Sequence, residues 1–468
     1  MKIFTNSNES NTSLGVAERL SYASGNFGSG LMATILSAFL LFFYTNYMHL
    51  SGGIVGIIFM IVRVSDGFTD LIMGNMVDRT KSKHGKARVW ILRMCIPYAL
   101  INIFAFTVPS FAPDAIKYIY VFATYLLASA VISTAMAVPY ITMAALLTDN
   151  PYERGILGVF SMFSGTFSGM VVSATALKLV NVFGDNQMAW IITVAIYAIT
   201  GILFELLCFF GTKERVLVGN HVVESTLETA KKDGDVKESV KALLKNKYWL
   251  MFIVMSFGLW MIIGLQSTAT IYYCEDILSN RDAYSVLANA GNVAMLIFLM
   301  LSSFFMGKFG KVITFRIGMV CALVGTGVMM LFPTNMTVLI AGIVIRSAGS
   351  GLAGACMTGI LADTLDFGEW KTGISAVGLG MAAYSACQKL GSGISAAIWG
   401  LLLQIGHYDG GAEVQSAAAL NMIKTGYFYI PFAVAAVAFI MIMQFDLDKK
   451  HDQIHADLEI RRGNSSLN

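Results

Sequence analysis

Two carboxylates and one guanidinium lie close together in an apolar segment of the amino-terminal half of the chain. Arg63, Asp66 and Asp70 occur within GGIVGIIFMIVRVSDGFTDLIMGNMVDR, at spacings of three and four residues. In a helix, this spacing places the three side chains on one face. Two carboxylates one turn apart repel each other in a low-dielectric site, and a monovalent cation between them or a proton on one of them relieves the repulsion. The pattern therefore predicts a coupling-ion site.

Neutral oxygen atoms are predicted to complete this site. Hard cations prefer carboxylate, hydroxyl and carbonyl oxygens over nitrogen or sulfur, and Thr69 and Thr134 supply hydroxyl groups. The coupling ion is predicted to be Na⁺ or H⁺, with Asp66 and Asp70 as its carboxylate ligands. The alternative is structural, in which Arg63 and Asp66 form a buried ion pair that holds helices together. We favour ion coupling because a structural role rarely requires a second acid on the same face.

Three further ionisable residues occur in apolar segments. Lys389, in GMAAYSACQKLGSGISAAIWG, is predicted to balance the two acids across a helix interface, with snorkelling to the membrane surface as the alternative. Arg346 and Glu205 also lie within apolar segments. For these two residues, a packing or gating ion pair and a contact with solute both stay open.

A basic loop and an acidic segment form a candidate gate. Arg79 lies in the loop after the segment that carries Asp70, and Asp363, Asp366 and Glu369 lie in LADTLDFGEWKTG. If two halves of the chain pack against each other, salt bridges between these groups would close one side of the membrane. The alternative is that the basic loop contacts anionic lipid headgroups.

The composition is that of a membrane protein. Of the 468 residues, 56% are hydrophobic and 13% are charged, against roughly 25% charged residues in soluble proteins. A helix needs about 20 apolar residues to cross a hydrocarbon core. The apolar runs predict an all-α membrane protein with twelve transmembrane helices, near residues 25–48, 52–77, 89–110, 116–147, 156–182, 188–211, 248–275, 283–306, 315–333, 337–362, 374–406 and 424–445.

A polar stretch divides the chain into two sets of six predicted helices. The predicted domains are an N-terminal six-helix bundle (1–211), a cytoplasmic central loop (212–247), a C-terminal six-helix bundle (248–445) and a cytoplasmic tail (446–468). LLTDNPYERG in the first half has a counterpart in LADTLDFGEWKTG of the second. This echo predicts two pseudo-symmetric bundles in the major facilitator fold. Lys and Arg concentrate on the side of both termini, which the positive-inside rule places in the cytoplasm.

Other classes of function are not supported by the sequence. A net charge of +3 does not suggest nucleic acid as a partner. The six cysteines have no CxxC spacing and predict neither a disulfide framework nor a zinc site. No catalytic constellation of an enzyme is visible, and no cofactor is expected. The predicted partners are a small solute, a monovalent cation and the lipid bilayer, and the protein is expected to be a monomer.

Several segments in both halves of the chain carry a family resemblance. They are SYASGNFGSGL, RVSDGFTDLIMGNMVDRTKSKHGKARVWI, TAMAVPYITMAALLTDNPYERG and LADTLDFGEWKTGISAVGLGMAAYSACQKLGSG. With them the chain resembles the glycoside-pentoside-hexuronide cation symporters, which are the relatives of the melibiose carrier within the major facilitator superfamily. The resemblance implies that Asp66, Asp70 and Thr134 are cation ligands, and that Lys389 links the cation and sugar sites.

The chain departs from the galactoside-transporting members of that family at four positions. Those members carry an acid in the first span, an acid before the proline of the fourth span and an arginine in the fifth, where this chain has Gly30, Ala137 and Met162. The aromatic residue that follows the proline motif is replaced by Ile141. A site without these hydrogen-bonding groups is not expected to hold the same sugar.

The predicted function is secondary active transport across the inner membrane. The chain is expected to carry a sugar or glycoside of the glycoside, pentoside or hexuronide class together with Na⁺ or H⁺, by alternating access. The alternative is a cation-coupled or facilitative carrier of a less polar solute, such as an aryl glycoside. The candidate solute contacts are Tyr140, Tyr384, Ser385, Gln388 and Lys389.

Overall fold

The computed structural model describes residues 14–215, 236–412, 414–447, 454, 457 and 458. Every regular element within these residues is a helix. Residues 1–13, residues 216–235 of the predicted central loop and most of the predicted tail lie outside the described residues. Uninterrupted apolar runs favour helices in a membrane because a helix satisfies its backbone hydrogen bonds internally.

Thirteen helices follow one another along the described residues. They are α1 (Val16–Asn46), α2 (Gly52–Asp78), α3 (Arg88–Ala105), α4 (Asp114–Leu147), α5 (Pro151–Val182), α6 (Gln187–Gly211), α7 (Val236–Lys245), α8 (Lys247–Ile277), α9 (Ala283–Phe309), α10 (Lys311–Leu331), α11 (Met336–Thr372), α12 (Val377–Ile405) and α13 (Ala417–Met443). Three of them contain a π-helical segment, at Leu126–Ile132 in α4, Tyr273–Ile277 in α8 and Thr425–Tyr429 in α13.

The helices confirm the prediction of an all-α membrane protein. Among the described residues, ten helices are long and apolar enough to cross a membrane. The predicted segments 52–77 and 374–406 coincide with α2 and α12, which are 27 and 29 residues long. These two helices carry the acidic pair and Lys389, so their polar residues have to be accommodated inside the helical bundle.

Helix α11 extends well beyond the predicted span 337–362. It contains 37 residues and ends only at Gly373, which adopts the left-handed conformation with a φ of 70° and donates its N–H to the carbonyl oxygen of Glu369. Polar residues do not by themselves end a helix, whereas a glycine with positive φ is a common terminator. The acidic segment, most of which lies beyond the predicted span, therefore belongs to the last turns of α11.

Helices α2 and α12 come into close contact at glycine residues. Gly52 and Gly56 of α2 face α12, and a Cβ atom added at Gly400 would collide with the backbone carbonyl of Gly52. A Cβ atom added at Gly56 would lie 2.8 Å from the carbonyl oxygen of Ala396. Small residues let helix backbones approach each other inside a membrane. This contact joins a helix of the predicted first bundle to a helix of the predicted second one.

We expect Gly400→Val to destabilise the protein. The added side chain has to push α2 and α12 apart, and overpacking of this kind costs about 1–3 kcal/mol. The midpoint of thermal unfolding in detergent, followed by size-exclusion chromatography after heating, should fall by several degrees. Gly158→Val is the matched control, because a Cβ atom at Gly158 meets no other atom within 4 Å. Equal midpoints for the two variants would show that the contact is not tight.

Candidate cation and solute sites

Asp66 is a buried carboxylate on α2. Only 3% of the residue is exposed, and its Oδ2 atom lies 3.3 Å from Nη1 of Arg63, one turn earlier in the same helix. Its Oδ1 atom is buried and has no hydrogen-bond partner within the described part of the chain. A buried carboxylate oxygen without a partner is costly, so this atom is available to a ligand.

Two hydroxyl groups lie near the backbone of Asp66. The hydroxyl of Thr69 donates to the backbone carbonyl of Asp66 at 3.0 Å and lies 3.5 Å from the hydroxyl oxygen of Thr134 on α4. Thr134 is buried, and the π-helical segment Leu126–Ile132 ends two residues before it. Such segments are frequent at functional sites because they change the direction in which the following side chains point. The hydroxyl groups predicted for the cation site thus lie side by side.

Lys389 of α12 meets the other acid of α2. Its ammonium group contacts Oδ2 of Asp70 and lies 3.4 Å from the backbone carbonyl oxygen of Asp66. The side chains of Lys389 and Asp70 are 27% and 34% exposed, so the protein leaves part of this ion pair uncovered, whereas Asp66 beside it is buried. Lys389 is therefore placed where it compensates the charge of the acidic pair.

The donor atoms of this cluster suit a monovalent cation. Asp66, Asp70, Thr69 and Thr134 offer carboxylate and hydroxyl oxygens, which Na⁺ prefers over nitrogen and sulfur. No group of three or more His, Cys, Asp or Glu side chains that could hold a metal ion occurs among the described residues. The carboxylates are also proton acceptors, so the same atoms can serve H⁺.

A cavity of about 400 Å³, lined by both polar and apolar groups, lies between six helices, α1, α5, α8, α9, α11 and α13. We call it the central cavity. Its volume falls within the range of small-molecule sites. The polar residues of its lining are Thr34, Ser37, Thr166, Ser173, Gln266, Ser267, Thr270, Tyr284, Asn292, Arg346, Ser347, Ser350 and Tyr427. Hydroxyl, amide and guanidinium groups from six helices can form hydrogen bonds with a hydrophilic solute of sugar size.

Comparison with known proteins gives the family. The sequence model of the family described as MFS/sugar transport protein matches residues 21–449. The isoprimeverose transporter of Lactiplantibacillus pentosus is 31% identical over 449 residues, which cover 95% of this chain and 91% of that protein. The inner membrane symporter YicJ of Escherichia coli strain K12 is 25% identical over 421 residues, which cover 89% of both chains.

The chain belongs to this sugar transport family. Its predicted resemblance to the glycoside-pentoside-hexuronide symporters of the major facilitator superfamily is confirmed. This member of the family is a transporter of sugar-like solutes rather than an enzyme, and it is an integral inner membrane protein.

Solved structures agree with the fold of this family. A point mutant of the nucleoside transporter NupG superposes with a TM-score of 0.63 at 13% identity, over 92% of this chain and 98% of that one. The D-xylose-proton symporter superposes with a TM-score of 0.62 at 15% identity, over 91% of this chain and 96% of that one. At such low identity the likeness concerns the fold alone.

The residues predicted to contact the solute do not line a single cavity of the transporter. Tyr384 packs against Phe252, with ring centroids 5.4 Å apart. Ser385 is exposed and Gln388 is half-buried. The described lining of the central cavity includes neither these residues nor Tyr140 or Lys389. The central cavity was therefore not predicted from the sequence. Of the residues that line it, only Arg346 had a solute contact among its predicted alternatives.

Tyr140 lies beside a second cavity of the transporter, of about 370 Å³. Its ring stacks on Tyr22 at a centroid distance of 4.5 Å, and its hydroxyl lies 3.1 Å from Oγ of Ser161. Gly30, Ala137 and Ile141, three of the positions that depart from galactoside transporters, line the same cavity together with Glu205. Three of the four departures thus line one cavity, although Gly30 is far from Ala137 and Ile141 in the sequence.

The predicted gate residues lie at the end of the transporter where α2 and α11 finish. Arg79 is exposed directly after α2. Asp363 forms an ion pair of 2.7 Å with Lys311 of α10, a neighbouring helix in the second half of the chain. Asp366 and Glu369 follow on the same helical end of α11. The salt bridge between the halves at this end stays a prediction.

At the opposite end of the transporter, a network that the sequence did not reveal joins the two halves of the chain. Arg281 donates to both carboxylate oxygens of Asp185 at 2.8 and 2.9 Å and also binds Glu275, and the hydroxyl of Tyr47 contacts Asp185. Burial disfavours the charged form of Arg281, but its partners, led by Glu275, outweigh this effect and raise its pKa. We call this group the Arg281 network; it connects the first half of the chain with the second.

We expect Arg281→Gln to open this end of the transporter more often. The variant removes the charge that holds Asp185 and Glu275, so the closed arrangement loses stability. In a background without the six native cysteines, Thr34→Cys in the central cavity should react several-fold faster with a membrane-impermeant maleimide added to whole cells, since the predicted topology places the Arg281 end outside. Lys117→Gln is the control, because its partner Asp114 at the same end has a side chain that is 75% exposed. Equal rates for both variants would contradict a closing role.

Proposed function

We propose that the protein is a secondary active transporter that couples the uptake of a sugar or glycoside to Na⁺ or H⁺. In this proposal twelve spans form two six-helix halves, residues 1–211 and 248–445, with both termini in the cytoplasm. One observation carries the coupling: Lys389 of the second half contacts Asp70 of the first half, beside the buried Asp66. Cation binding and the arrangement of the two halves therefore involve the same atoms.

Coupling would operate through competition between the transported cation and the Lys389 ammonium group for the carboxylates of α2. A cation that binds Asp66, Asp70 and the two threonine hydroxyls takes over the charge compensation that Lys389 provides in the cation-free cluster. Two positive charges a few ångströms apart repel strongly in a site of low dielectric, so Lys389 leaves Asp70 and becomes available to the solute. The solute in turn stabilises the displaced lysine, and each ligand raises the affinity for the other by the same factor.

Alternating access would use the two ends of the bundle in turn. The ion pairs of the Arg281 network are formed in this structure, while the side chains of Asp70 and Lys389 are only partly covered by protein. In the proposed orientation, the Arg281 network faces the outside and the Arg79 end faces the cytoplasm, so we propose that a formed Arg281 network belongs to the inward-open form of the cycle. Rocking of one half against the other would break the network and form the predicted contacts of Arg79 with Asp363, Asp366 and Glu369.

The character of the solute follows from the central cavity and from the relatives. Hydroxyl and amide groups from several helices line this cavity, which favours a hydrophilic solute over the less polar alternative. A relative that covers most of the chain is named for isoprimeverose. A sugar or small glycoside is therefore the proposed cargo, and the role of Tyr140, Tyr384, Ser385 and Gln388 in holding it is part of the proposal.

We expect Asp66→Asn and Asp70→Asn to uncouple transport. Sugars should be screened in right-side-out membrane vesicles with an imposed Na⁺ gradient or an imposed H⁺ gradient. The wild-type protein should concentrate its sugar with one of the two gradients. In both variants the accumulation ratio should fall to about one, because only the coupling free energy sustains a gradient, while exchange of sugar across the membrane persists.

Asp114→Asn serves as the control for this experiment. It removes a carboxylate whose side chain is 75% exposed at the start of α4, so accumulation should stay at the wild-type level. Full accumulation by both cluster variants would reject the coupling role of the acidic pair. If sugar accumulation by the wild-type protein depended on neither the Na⁺ gradient nor the H⁺ gradient, cation symport would be rejected.

A further inference from the structure

Arg346 is a buried cation at the wall of the central cavity. Only 4% of the residue is exposed, and it lies within α11, ten residues after the helix begins at Met336. An arginine inside a membrane helix is costly to insert and generally marks a pathway or a partner. The groups around Arg346 indicate what this charge binds.

The guanidinium lacks the hydrogen bonds that its burial would require. Its Nε and Nη1 atoms are both buried and have no partner within the described residues. The group lies 5.3 Å from the ring centroid of Tyr427 on α13, at the distance of a cation–π contact. Two charged donors therefore stay available at the cavity wall.

Other unpartnered polar atoms belong to the same cavity. The Nε2 atom of Gln266 on α8 and the hydroxyl of Tyr427 are buried without hydrogen-bond partners among the described residues, and both residues line the central cavity with Arg346. The amide nitrogen and the guanidinium only donate, and the hydroxyl can also donate. Three side chains from three helices thus present donors, and the matching ligand is rich in acceptors.

The cavity contains no acidic side chain to balance Arg346. No Asp or Glu occurs in its described lining, although acids pair with the cations elsewhere, as Asp70 does with Lys389 and Asp363 with Lys311. A buried charge without a partner is several times more costly than one in a hydrogen-bonded pair. A ligand that carries a negative charge would supply the counter-charge that the described lining of the cavity lacks.

We propose that the central cavity binds the anionic group of an acidic sugar, and that Arg346 is the residue that recognises this group. Gln266 and the hydroxyl of Tyr427 donate further hydrogen bonds to the same carboxylate or to the neighbouring hydroxyl groups. The serine and threonine hydroxyls around the cavity hold the polyol part of the solute. This inference rests on the proposed function as a sugar carrier and adds the charge class of its solute.

The test compares pairs of probes that differ only in this charge. Para-nitrophenyl β-D-glucuronide and para-nitrophenyl β-D-glucoside form one pair, and glucuronate with glucose and galacturonate with galactose form two others. Their binding to the purified full-length protein is measured by isothermal titration calorimetry. We expect the wild-type protein to bind the acidic member of at least one pair about tenfold or more tightly than the neutral member, as expected for charge-assisted hydrogen bonds.

Two substitutions of Arg346 and one control complete the experiment. Arg346→Gln should abolish the preference for the acidic probe, because it weakens binding of the acidic member far more than binding of the neutral one. Arg346→Lys should retain part of the preference because it keeps the charge. Arg93→Gln, which changes an exposed arginine on α3, should leave the preference unchanged. A thermal unfolding midpoint for each variant verifies that the protein is folded.

The outcomes separate this inference from the proposed function. A wild-type protein that binds no acidic probe, or that prefers the neutral member of every pair, overturns the inference even if cation-driven accumulation of a neutral sugar is observed. A preference that survives in Arg346→Gln overturns it as well. Conversely, acidic probes that bind through Arg346 but are never accumulated with either cation gradient would support the inference and contradict cation symport.

Discussion

The ion pair between Lys389 and Asp70 determines how the charged residues at the centre of this molecule are arranged. A carboxylate inside a helical bundle needs a positive partner, and the partner of Asp70 comes from a helix more than three hundred residues later in the chain. Around it, Arg63 compensates Asp66 from one turn away on α2, and the hydroxyls of Thr69 and Thr134 lie beside the pair. The charges of α2 are thus neutralised only when α12 is packed against it.

The bundle contains two cationic side chains that differ in how their charge is balanced. Lys389 has a resident acid and can exchange it for a mobile cation, whereas Arg346 has no carboxylate in the described lining of its cavity. The first arrangement suits a switch, because compensation can be transferred between groups of similar strength. The second suits recognition, because an unbalanced charge of fixed sign selects among solutes by their charge. Coupling and selectivity would then be separate functions of separate helices.

Local regularity explains why part of the site could be predicted from the sequence. Asp66 and Asp70 share a helix face through their spacing alone, and Lys389 is conspicuous because it is the lone charged residue of α12. The central cavity is different, since each helix contributes only one or a few residues such as Ser37 or Ser347, which are ordinary in membrane helices. The Arg281 network joins residues 96 positions apart, and the π-helical segments have no periodicity that distinguishes them from α-helix beforehand. These features depend on how the helices pack, which no single segment encodes.

The glycine contact between α2 and α12 lies close to the Arg281 network, at the beginning of α2. Asp70 is roughly 27 Å further along the same helix, given its rise per residue. Backbones that touch at Gly52 and Gly400 cannot approach further, so this point can act as a pivot while the remote part of α2 swings. A tilt of about 10° there would carry Asp70 roughly 5 Å away from Lys389 over that lever arm. Ion exchange in the middle of the membrane would then require only a small angular change at one edge.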